Sequence, residues 1–81
     1  MTKSITISGH ARKRMAKYEL DEDLVIQVVR DPDRLADGYR GRRVAHKFMN
    51  DHILRVVYEE DHVITVVTVY PARRERFEKK V

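Results

Sequence analysis

The sequence predicts an α+β domain: two N-terminal helices packed on one face of a four-stranded antiparallel meander sheet, closed by a short C-terminal helix. Three observations predict it. Apolar residues recur at helical spacing before Pro32 and alternate after it. The alternating segments are separated by polar stretches short enough for hairpins. With 81 residues and no linker, repeat or low-complexity stretch, the chain reads as a single domain, 1–81.

The first helix is expected over His10 to Lys17, with Ser8 placed to cap it. Ala11, Met15 and Tyr18 form a short apolar stripe, and His10, Arg14 and Lys17 a polar stripe beside it. A second helix starts at Asp21, whose side chain is expected to cap, with Glu22 and Asp23 suited to the positive helix end. Leu24, Val25, Val28 and Val29 give it an apolar face, and Asp31-Pro32 stops it. Four strands follow, Arg34–Tyr39, Arg43–Met49, His52–Glu59 and His62–Tyr70. Their turns are Arg40-Gly41-Arg42, Asn50-Asp51 and Glu60-Asp61. Pro71 is expected to end the last strand, and Ala72 to Lys80 to form the terminal helix.

Composition excludes several classes. With no cysteine, neither disulfides nor thiolate metal clusters are available. No apolar run approaches the roughly 20 residues of a membrane span, and Met1 to Ser8 lacks a secretory pattern. A soluble, cytoplasmic protein is expected. Lys and Arg number 17 against 13 Asp and Glu, a net +4, and the charge is segregated. Residues 1–20 hold five basic side chains and one acid, residues 38–55 five and one, and residues 73–80 five and two. Such blocks suit RNA, DNA or an acidic protein, and equally suit ordinary solvated faces.

Hairpin register identifies which strand side chains share a face. A two-residue turn at Asn50-Asp51 sets His46 opposite Arg55. A two-residue turn at Glu60-Asp61 pairs Arg55 with Val66 and Ile53 with Thr68, so Arg55, Thr68 and Tyr70 share that face. Val44, Phe48, Ile53, Val57, Ile64 and Val66 complete it. An arginine among these residues needs a reason, because a buried guanidinium must find partners. Either it lays its stem on the apolar face and reaches water, or it serves a site. No metal and no cofactor is expected. His10, His46, His52 and His62 show no paired ligand spacing, the acidic clusters lack a calcium-loop pattern, and no phosphate-binding glycine loop or nucleophile elbow is present.

The stretch Gly9-His10-Ala11-Arg12-Lys13-Arg14-Met15, the later helix ending at Asp31-Pro32, and the strand Ile64-Thr65-Val66-Val67-Thr68-Val69-Tyr70 together resemble a family of small domains of unknown function. That family is allied to the RelE/ParE-type toxins and the wider barnase-like ribonuclease group. The resemblance runs from about Ile5 to Tyr70. It implies helices on an antiparallel sheet and a metal-independent endoribonuclease, a toxin held by an antitoxin protein and acting on RNA or the ribosome. Carried over, His10 and Arg14 match the helix motif, and Thr68 and Tyr70 the strand motif. Arg55 and Lys47 are the candidates for the strand cation of that group.

In that chemistry a histidine moves the proton of a ribose 2′-hydroxyl. Arg14 or Arg55 stabilises charge on the phosphoryl oxygens, Tyr70 stacks a base or donates to phosphate, and Arg40, Arg42 and Arg43 hold the backbone. Two other readings stand beside it: a non-catalytic nucleic-acid or protein-binding module on the same fold, and a structural interaction domain.

Overall fold

The computed structural model describes residues 3–73. In chain order these form β1 (Ile5–Ile7), α1 (Gly9–Tyr18), α2 (Glu22–Arg30), β2 (Arg34–Asp37), a 3-10 turn (Tyr39–Gly41), β3 (Arg43–Phe48), β4 (His52–Glu60) and β5 (Ile64–Arg73). The strands make one five-stranded sheet in the order β1-β5-β4-β3-β2.

This corrects the expected four-stranded antiparallel meander. Strands β2 to β5 do run antiparallel in chain order, but β1 adds to the far edge in parallel, Ile5 facing Ile64 and Ile7 facing Val66. Ile5-Thr6-Ile7 is too short for alternation to stand out. A parallel pair also has no hairpin turn to announce it, because its crossover is the rest of the domain. Backbone bonds close both ends of the pair, from Ile64 N–H to Ser4 O (2.9 Å) and from Ser8 N–H to Val66 O (3.0 Å).

The C-terminal expectation also changes. Ala72 and Arg73 belong to β5 rather than to a helix, and the remainder of the expected Ala72–Lys80 helix lies outside the described residues. Pro71 does not end the strand; it pairs across from Leu54. Proline is tolerated on an edge, where its missing N–H faces away from the ladder, and β1 spans only the Ile64–Val66 portion of β5.

The helices form for local reasons. Ser8 Oγ accepts from Ala11 N–H (3.1 Å) and donates to Val67 O (3.0 Å), so one hydroxyl caps α1 and ties it to β5. Glu19 then enters the left-handed region at φ 56°, and Leu20 N–H reaches back to Met15 O (2.8 Å). Asp21 stands at the N-cap of α2, but its side chain makes no capping bond. There Glu22 and Asp23, in the first turn, complement the helix end.

Ala11 and Met15 from α1 and Val25, Val28 and Val29 from α2 bury against Ala45, Leu54, Val56, Tyr58, Val66 and Val69. Both helices therefore cover one sheet face, and burying each large side chain contributes about 1.5–3 kcal/mol.

Candidate functional site

The β3–β4 register is set by the Asn50-Asp51 turn: Phe48 faces Ile53, and His46 faces Arg55. On the other side of β4, Arg55 faces Tyr70 and Val57 faces Thr68. Leu54, Val56 and Val69 bury toward the helices, so alternation turns His46, Arg55, Thr68 and Tyr70 to the opposite face. Arg34, across from His46 on β2, shares it.

The pairs assigned through the β4–β5 turn need correction. The loop is Asp61–Val63, with Glu60 facing Ile64, one residue longer than expected. Ile64 and Val66 consequently lie on the helix face; Val66 is fully buried there. A register shift between Val57 and Tyr58 leaves Val67 as an extra residue on β5. The bulge restores the parity, which is why Thr68 and Tyr70 still join Arg55.

On this face three groups are in contact. Arg55 Nε–H donates to His46 Nε2 (3.2 Å), and the guanidinium carbon lies 5.2 Å from the centroid of the Tyr70 ring. The bond uses the Nε2 lone pair as acceptor, so the neutral ring carries its proton on Nδ1. His46 is only 6% exposed. Burial first, and then the positive charges of Arg55 and Arg34, hold its pKa below the ordinary 6.5. A guanidinium oriented by a neutral imidazole and an aromatic ring is a preset fork for a phosphate or carboxylate.

The other expected site residues are dispersed. His10 is exposed and Arg14 half-buried on α1, on the helix side of the sheet. No hydrogen bond, ion pair or ring contact joins them to Thr68 or Tyr70 among the described residues. Lys47 faces Leu54, on the opposite side of the sheet from Arg55, and its Nζ lies 3.8 Å from Asp33 Oδ1. Arg42 Nε is paired with Glu59 Oε2 (2.8 Å), Arg43 lies across from Asp37 and Tyr58, and Arg40 stacks over Tyr39 at 5.3 Å. His46 is the one member of the contacting group that is not among the expected site residues. Its signal was present in the sequence as the two-residue turn that set it opposite Arg55.

Among the described residues no group of three or more His, Asp or Glu side chains could hold a metal ion, and no helix is long and apolar enough to cross a membrane. A family model described as "Domain of unknown function (DUF4258)" matches residues 7–71. No curated protein and no solved structure matches the chain.

Proposed function

The chain belongs to the DUF4258 family of domains of unknown function, and on that premise we propose that it is a metal-independent endoribonuclease with Arg55 as its phosphate-binding group. The observation that carries this reading is Arg55 seated between the buried, neutral His46 and the ring of Tyr70. The resemblance of Gly9–Met15 and Ile64–Tyr70 to a family of small domains allied to the RelE/ParE-type and barnase-like group supports it. An RNA target makes the cytoplasm its working compartment. The net charge of +4 suits a ribosome, or an acidic antitoxin protein, as partner.

The chemistry follows from the contact between the two side chains. A phosphodiester oxygen takes the Nε–H of Arg55, which frees the Nε2 lone pair of His46. That lone pair accepts the proton of the adjacent ribose 2′-hydroxyl. The 2′-oxygen attacks phosphorus, the bond from phosphorus to the 5′-oxygen breaks, and the leaving oxygen takes a proton from water. Arg55 holds the charge that grows on the phosphoryl oxygens, and the products are a 2′,3′-cyclic phosphate and a 5′-hydroxyl.

One observation favours a second reading, a nucleic-acid-binding module that does not cut: Nε2 of His46 is already engaged by Arg55. Incubating the purified protein with total RNA and with ribosomes, in EDTA, separates the two. Cyclic-phosphate ends that appear with wild type and fall at least about 100-fold with Arg55→Ala support cleavage. Salt-dependent binding without new ends supports the module, and the absence of both cleavage and binding overturns both readings.

A further inference from the structure

We propose that the β2–β3 turn is a nucleobase-stacking element, with Tyr39 as the platform on which one unpaired RNA base rests. It rests on the RNA reading above and assigns to that reading a contact apart from the Arg55 group. Tyr39 is 78% exposed, the most exposed of the large hydrophobic side chains among the described residues. An aromatic ring so far out of the core contributes little to stability, and its π-face away from Arg40 is available to a flat partner.

The turn that carries it is held rather than loose. Gly38 N–H donates to Arg42 O (2.6 Å), and Arg42 N–H to Tyr39 O (3.2 Å). A Cβ on Gly38 would meet Arg42 O at 3.0 Å and Val44 Cγ2 at 3.1 Å, a tight approach that glycine makes without displacing either neighbour. Arg42 is anchored by Glu59. Arg40 and Gly41 both sit at positive φ, 59° and 79°. An arginine in that region is strained by about 1 kcal/mol or more, and such strain persists where the backbone must aim a side chain.

The charges around the ring select the occupant. Arg40 lies over Tyr39 at 5.3 Å and, among the described residues, has no carboxylate partner. Asp37 is the nearby acid, across the ladder from Arg43. A guanidinium beside an exposed ring provides one group for a phosphate and one surface for the base attached to it. This is how unpaired strands are held without reading their sequence. A duplex, whose bases are already stacked, offers no such partner.

The test compares wild type, Tyr39→Ala, Tyr39→Phe and Arg40→Ala in binding a fluorescent single-stranded oligoribonucleotide, the same length of duplex RNA, and an abasic oligomer. Thermal unfolding confirms that each variant is folded. Tyr39→Ala should lose roughly 5- to 150-fold in affinity for the single strand, with little change for the abasic oligomer and an unchanged salt slope. Tyr39→Phe should bind nearly as wild type, and Arg40→Ala should flatten the salt slope by about one charge. If wild type binds the single strand and Tyr39→Ala binds it equally well, the stacking element is overturned while the RNA reading stands. If wild type binds none of the three probes, both fall.

Discussion

Through the middle of β4 the side chains toward the helices are Leu54, Val56 and Tyr58, and those pointing away are Ile53, Arg55 and Val57. These three helix-side residues are all buried hydrophobic side chains. The other face mixes kinds: Ile53 is 1% exposed, yet its neighbour two residues on is an arginine bonded to a buried histidine. An interior built for stability alone has no use for that pair, because replacing buried polar groups with apolar ones of similar size is often neutral or stabilising. The difference teaches that the two faces answer to separate demands. One holds the domain together, and the other holds Arg55 in a set orientation.

The largest effect expected from breaking this contrast is on the helix face. Leu54 is fully buried, so Leu54→Ala should cost about 2–5 kcal/mol in urea unfolding. A domain of this size has little stability in reserve. Arg55→Ala, one position along the same strand, should cost far less and should lower the proposed RNA cleavage at least about 100-fold. Equal losses of stability from the two substitutions would show that Arg55 is held for packing, and the contrast would collapse.

The same strands explain what could be read in the sequence. Asn50-Asp51 is a two-residue turn between alternating runs, so the facing of His46 and Arg55 was legible. Asp61-His62-Val63 is not a two-residue turn, and the bulge at Val67 leaves no mark in an unbroken run of β-favouring residues. The longer loop and the bulge each shift the register by one residue and cancel beyond Val67, so Thr68 and Tyr70 share the face of Arg55 as the two-residue turn predicts, whereas Ile64 and Val66 lie on the opposite one. Whether His10 and Arg14 of the helix motif lie near Thr68 and Tyr70 of the strand motif depends on where α1 packs. Helical spacing sets which residues share a stripe but not which face of the sheet the helix covers. Here Ser8 ties α1 to Val67, and the helix packs on the face those two strand residues leave. Even β1 had too few residues to declare itself, since its partner is 59 positions away.

A smaller effect sharpens the contrast through pH. The folded protein holds His46 below its ordinary 6.5, whereas the unfolded chain restores that value. Stability should be level with respect to this group above pH 6.5. It should fall as the pH drops below 6.5, because the unfolded state then binds the proton first, and level off again below the folded-state value. His46→Asn should remove that part of the slope. Urea midpoints at pH 7.5 and 5.5 measure it, and a variant with the wild-type slope would show that His46 is not the group being charged.

The smallest expected effect uses two residues with the same strain in different regions. Glu19 and Arg40 are the described non-glycine residues at positive φ, 56° and 59°. Glu19 closes α1, where Glu19 N–H bonds Ala16 O (3.3 Å) and Leu20 N–H bonds Met15 O. This is the double bond pattern that favours glycine at the left-handed position. Glu19→Gly should therefore stabilise the domain by about 0.5–1 kcal/mol, the strain relieved less the entropy glycine adds to the unfolded chain. The melting temperature should rise by a few degrees, with RNA binding unchanged. Arg40→Gly relieves the same strain in the β2–β3 turn and should also raise the melting temperature. It removes the cation beside Tyr39 as well, so affinity for a single strand should drop even as stability rises. Stabilisation by both with loss of binding in only one would separate strain that merely ends a helix from strain that aims a side chain. Unchanged binding in both would leave the turn as an ordinary tight corner.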